Sequence, residues 1–193
     1  MDCPSPRRRA TDSGFSLIEL TVVLGLSVVL ASIAVLTTTG AVEGARADSA
    51  AQALVRELRE ARELAISERR NIEVAFLDPN QVQVIRRDVV GTAEVGTTVL
   101  ETVVLEGRQR FFLPAGAADT PDGFGNAAAV DFGTATALLF TSEGTFVDQT
   151  GDSLNGTVFL GDPQNDLSLR AVTVFGPTAL VTVWRWNGAA WTD

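Results

Sequence analysis

Glu19 is the side chain most in need of a chemical partner. It is the single charge in residues 15–36, "FSLIELTVVLGLSVVLASIAVL", and it stands five positions after Gly14. A lone charge at the middle of a bilayer costs about 2.5–3.5 kcal/mol or more. Either the carboxylate reaches back to the headgroups, or something supplies a cation to it. Other carboxylates fall in turn-like stretches: Glu143 in Ser142-Glu143-Gly144, then Asp148, Asp152, Asp162 and Asp166. Hard oxygen ligands suit calcium, but calcium needs six to eight oxygens meeting at one point, and no EF-hand spacing is present. Solvated turns are the preferred reading, so no metal site and no cofactor is expected. All three tryptophans, Trp184, Trp186 and Trp191, lie in "VWRWNGAAW" with Arg185 between the first two.

Composition removes much of the usual catalytic repertoire. The 193 residues include no histidine and no tyrosine. Ser–His and Cys–His nucleophile pairs, histidine bases and histidine-containing zinc sites are therefore absent. The one cysteine, Cys3, allows no intrachain disulfide. The formal charge of −9 disfavours non-specific binding to phosphate backbones. The chain is read as not an enzyme.

Residues 1–14 are polar and carry Arg7, Arg8 and Arg9, whereas no charge occurs from 20 to 42. At about 1.5 Å per residue a helix over 15–36 is long enough for a hydrocarbon core of about 30 Å. Gly25, Ser27, Ala31, Ser32 and Ala34 suit close helix packing in lipid. The arginines ahead of the run orient it with the N-terminus cytoplasmic and the bulk exported. An ordinary secretory signal is cut after its apolar region. Here Gly14 comes before it, and a cut at Gly14 would leave the membrane helix on the mature chain.

Further along, Ala47, Ala51, Leu54, Leu58, Ala61 and Ala65 form a helical stripe, with Arg56, Arg59, Glu60 and Glu63 opposite. The stripe suits a helix lying on a sheet, and the opposite face reads as solvated, with Arg56/Glu60 and Arg59/Glu63 pairs. Gly40 and Gly44 are soft points ahead of it. After Asn71 the period changes to two. Ile72, Val74 and Phe76, the turn "DPNQ", then Val82 and Val84 read as a hairpin. Strand-like runs follow at "TTVLETVVLEG", "RQRFFLP", "VDFG", "ALLFTSEGTFV", "GTVFLGD", "RAVTVFG" and "ALVTVWRW". Between them, "AGAADTPDGFGNAAA" reads as a long, mobile loop. The order of elements predicts an α+β fold, a long N-terminal helix packed on an antiparallel β domain. The expected divisions are a basic polar segment 1–14, a membrane-spanning helix 15–39, an amphipathic stem 40–70 and a β domain 71–193.

The stretch "GFSLIEL", with its basic leader and apolar tail, resembles the prepilin processing site of type IV pilins and type II secretion pseudopilins. The resemblance implies that a prepilin peptidase cuts after Gly14 and N-methylates Phe15. It further implies that 1–14 is a cleaved leader, that 15–39 becomes a filament-core helix, and that Glu19 of one subunit faces the new Phe15 amine of its neighbour there, acting as a register pin. The passage "ELREARELAISERRNIEVAF" and the late strands are similar to H-type minor pseudopilins and related minor pilins. The implied partners are the peptidase, other pseudopilins or pilins and an inner-membrane assembly platform. The implied location is the bacterial inner membrane, single-pass, with the C-terminal domain periplasmic. A minor pseudopilin at or near the tip of a secretion pseudopilus is the first expectation. A minor type IV pilin that primes assembly, with or without DNA uptake, is the alternative. Residues 1–14, whose arginines exceed Asp2 and Asp12 by one charge, leave −10 behind when removed, which makes nucleic acid the less favoured partner. For the tryptophans two readings stand: a final strand with one ring in the core and Trp191 folded back after an Asn-Gly turn, or an aromatic surface for a neighbouring subunit.

Overall fold

A computed structural model describes residues 16–90 and 93–193, with side chains placed except at 34–41, 89–90 and 93–95. Gly14, Phe15 and the leader lie outside the described residues. The chain divides into two units, one ending at Ala41 and one beginning at Val42. The first helix, α1 (Leu17–Glu68), contributes to both.

Within the first unit every described side chain from 16 to 33 is exposed, eleven of them large and apolar, including Leu17, Leu24, Val28 and Ile33. Three hydroxyls bond back to the helix itself: Thr21 to the Ile18 carbonyl, Ser27 to Val23 and Ser32 to Val28, each at 2.8 Å. Such back-bonding leaves a hydroxyl no unmet need in an apolar surrounding. Among the described residues no helix is long and apolar enough to cross a membrane.

In the second unit the α1 stripe is buried as its spacing predicts. Ala47, Ala51, Leu54, Leu58, Ala61 and Ala65 are fully covered. The alanines on either side of Leu54 and Leu58 let the helix backbone come close to the strands. Those strands make two antiparallel sheets, where sequence patterning led to the expectation of a single one. The first sheet comprises β1 (Ile72–Leu77), β2 (Gln81–Val90), β3 (Ala93–Val104), β6 (Leu139–Phe140) and β7 (Phe146–Val147), in the order β3-β2-β1-β6-β7. The second has β4 (Arg110–Phe111), β5 (Val130–Asp131), β8 (Gly156–Asp162), β9 (Asn165–Phe175), β10 (Leu180–Trp186) and β11 (Trp191–Thr192). Its path is β11-β10-β9-β8-β4, with β5 on β8. One core joins them: α1 side chains meet Ile72, Val74, Val82 and Val84 of the first sheet and Val158, Leu160, Val172 and Val174 of the second. Period-2 patterning marks each strand but not which sheet it joins, because both sheets turn an apolar face to the same helix.

Gly156 opens β8 where a side chain has no room. A Cβ there would lie 2.1 Å from a Phe132 ring carbon. Gly144 turns "FTSEGTF" with φ of +79°, and its carbonyl accepts a hydrogen bond from Arg62 Nε on α1 at 2.9 Å. Both serve the chain's own packing.

Candidate functional site

Glu19 sits in the first turn of α1 and is exposed. A carboxylate at a helix N-terminus is favourably placed against the helix dipole. Among the described residues no cation or hydrogen-bond donor engages it. Its expected counterpart, Phe15, lies outside them, as does the Gly14–Phe15 bond.

The tryptophans occupy the outer face of the second sheet. Strand alternation puts Trp184 and Trp186 on one side and Val183 and Arg185 on the other, as expected. Asn187 caps the turn that follows, its Oδ1 accepting from the Ala189 and Ala190 amides, and Trp191 returns opposite Trp186. The ring that ends up most buried is Trp191 itself, 9 % exposed, packed with Phe159, Leu169 and Ala171. Trp186 meets it edge-on at 5.1 Å.

This face is covered by the loop expected to be mobile, which is a correction. Trp191 Nε1 donates to the Ala118 carbonyl and Trp184 Nε1 to Asp122 Oδ2, both at 2.9 Å. Thr173 Oγ1 donates to the same Asp122 oxygen, and Phe124 stacks on Phe175. Asn126 ties back to Ala117 within the loop. Residues 114–128 lacked any strand pattern, and the donors that hold them, far along the chain, could not be read locally. The aromatic patch therefore reads as structural, with Trp184 and Trp191 committed through their N–H groups.

On the inner face, Arg185 and Arg170 reach across to Asp48 of α1. Arg170 Nε lies 2.7 Å from Asp48 Oδ1, and Arg185 Nη2 lies 2.7 Å from Oδ2. Arg170 is 3 % exposed and also donates to the Leu167 and Leu169 carbonyls. Burial by itself pushes the Asp48 carboxyl up, but the two guanidiniums outweigh it and hold it below 3.8. Asp48 directly follows Ala47, the first residue of the stripe, and nothing in its sequence neighbourhood marks it as a clamp for the last strands.

The loop carboxylates behave as turn residues. Asp148 Oδ1 accepts from the Thr150 amide and hydroxyl and the Asp152 amide, and these bonds, Thr150's first, hold its carboxyl below the ordinary value. Asp162 accepts from the Gln164 amide. No more than two of these loop carboxylates converge among the described residues.

A carboxylate cluster does form on the stem, where its buried stripe meets its exposed face. Glu57, Glu60 and Glu101 bring oxygens within 4.8 Å of one another. Glu57 is buried at 2 % exposure, and burial first, then Glu101 and Glu60, push its carboxyl up. Arg56 lies nearest Glu57, with Nε 3.6 Å from Oε1, rather than pairing with Glu60 as spacing predicted. The signal was present: Glu57 is three residues after Leu54 and four before Ala61, inside the buried stripe.

No family model matches the chain, and no curated protein matches it. Among solved structures the chain is similar to the minor pseudopilin EpsH from the type 2 secretion system of Vibrio cholerae. The match has 14 % identity, spans 72 % of this chain and 97 % of that one, and has a TM-score of 0.48.

Proposed function

We propose that the chain is a filament subunit of the minor pseudopilin kind, whose N-terminal helix is held first by the inner membrane and then by other subunits. The observation that carries this reading is the part of α1 over residues 17–33. It buries none of its side chains, satisfies its own hydroxyls and keeps a single carboxylate, Glu19, near its start. Such a surface has no use in water and is suited to a lipid or a bundle of like helices. Cleavage after Gly14 by a prepilin peptidase would create an amine at Phe15, and the Glu19 carboxylate of an adjacent subunit would neutralise it at one axial stagger only. Position at or near the tip, export of the β domain and contact with an assembly platform belong to the same reading. The role is mechanical, not catalytic.

The DNA-uptake alternative began from Arg185 beside two aromatics. Arg185 is engaged by Asp48 and the aromatics lie on the opposite face of the strand, so the local basis for that alternative is weak. Mass spectrometry of the mature N-terminus tests the reading: a chain starting at methylated Phe15 is expected when the peptidase is active. Recovery of the intact leader under those conditions would refute it.

A further inference from the structure

Glu57 is out of place in a hydrophobic stripe. Its neighbours Leu54, Leu58 and Ala61 are fully buried among valines and phenylalanines. Its Oε2 is buried with no hydrogen-bond partner. Oε1 lies 3.6 Å from Arg56 Nε, too far for a hydrogen bond, and the Arg56 side chain is 67 % exposed. A buried carboxylate with an unmatched oxygen is costly, and a core position of this kind normally selects an apolar residue.

Instead of relieving that cost, the fold adds two more carboxylates. Glu60 stands three residues on, over the same helical surface. Glu101 arrives from β3, and the strand register accounts for its direction. It pairs with Val84, whose side chain is buried against α1. Residues directly opposite in an antiparallel pair share a face, so Glu101 also looks toward the helix. A register shift follows at once: Val84 pairs with Glu101, but Ile85 pairs with Val99, so Leu100 is the extra residue of a bulge. The carboxylate oxygens of Glu57, Glu60 and Glu101 lie within 4.8 Å of one another, Glu57 buried and the other two exposed. Three like charges this close repel one another, and a bound cation would relieve that repulsion.

We propose that Glu57, Glu60 and Glu101 form a binding site for a hard divalent cation, calcium being the ion that fits best. Calcium holds oxygens at about 2.3–2.6 Å, so any two of its ligands stand no more than about 4.6–5.2 Å apart, and the three carboxylates, within 4.8 Å of one another, already satisfy that limit. Magnesium demands a near-ideal octahedron and gives up its waters reluctantly, whereas calcium accepts an irregular, partly hydrated set of oxygens of this kind. Glu57 supplies an oxygen from the dry side, Glu60 and Glu101 from the wet side, and water fills the remaining positions. The ion would tie β3, an edge strand, to α1. The site is separate from the turn carboxylates around Asp148 and does not depend on the filament reading.

The test is calorimetric titration of CaCl2 into the full-length chain in an uncharged detergent at neutral pH, alongside thermal unfolding. One saturable site is expected, with a Kd of about 10⁻⁴–10⁻³ M, typical of a partly open site with three carboxylates. At a tenfold excess over Kd, Tm should rise by about 3–6 °C. The double variant Glu60→Gln/Glu101→Gln changes only exposed side chains and should lose both responses without any fall in its metal-free Tm. Asp148→Asn/Asp152→Asn should keep both. Glu57→Gln should also lose them, and its metal-free Tm should not fall. Absence of saturable binding up to about 10 mM would overturn the proposal. So would binding that survives in the Glu60→Gln/Glu101→Gln chain or disappears in the Asp148→Asn/Asp152→Asn chain.

Discussion

The two ends of α1 are built from opposite sequence logic. Over 16–33 apolar residues face every direction and all are exposed. Over 47–65 they recur every three or four positions, and that stripe is buried. In the second case the chain itself provides the covering surface, two sheets contributing valines and phenylalanines to one core. In the first no described residue covers them; on the proposed reading, lipid or neighbouring helices do. A helix therefore announces the source of its stability by whether its apolar residues keep to one side.

The sharpest way to break this comparison is to change the one charge at the exposed end. Glu19→Leu should leave membrane partitioning intact and abolish incorporation into filaments, scored by co-purification with assembled subunits. Normal incorporation would remove the pin role. Next come matched leucines. Leu58→Ala should cost about 2–5 kcal/mol in urea unfolding of the β domain, because a fully buried side chain leaves a cavity. Leu24→Ala, exposed in α1, should stay within about 0.5 kcal/mol in the same assay. Equal losses would mean that the two halves do not differ as described.

Asp48→Asn should cost about 1–3 kcal/mol, since it leaves the buried Arg170 without its counter-charge. The sign of the pH dependence follows from the direction of the shift. Asp48 titrates below its ordinary 3.8 in the folded chain, so its contribution is complete above that value and is lost as pH falls through the folded pKa. The wild-type chain should therefore lose more stability than Asp48→Asn below pH 3.8; parallel acid-unfolding curves would refute the clamp. The smallest effect is expected from Trp184→Phe, about 0.5–1.5 kcal/mol for one hydrogen bond to Asp122. Limited proteolysis should then cut within residues 114–128 faster than in the wild type.

Much of the fold was legible because each element carries its own period. The stripe from Ala47 to Ala65, the Ile72–Val84 hairpin and the late strands each declare themselves within a few residues, and all are present. The Trp186–Trp191 return was readable from Asn187-Gly188, since that dipeptide favours a tight turn. The covered loop was not readable. Ala118 and Asp122 are ordinary loop residues until Trp191 and Trp184, more than sixty positions later, donate to them.

By itself the amino-acid sequence determined the α+β order, the unpartnered apolar helix and the isolation of Glu19, since these depend on composition and spacing along one segment. Only the tertiary structure decided that the strands split into two sheets, that Asp48 clamps Arg170 and Arg185, and that Glu57 meets Glu60 and Glu101. Each of those rests on side chains from distant segments arriving at one place. Their energies depend on distance and burial, and neither quantity exists until the chain has folded.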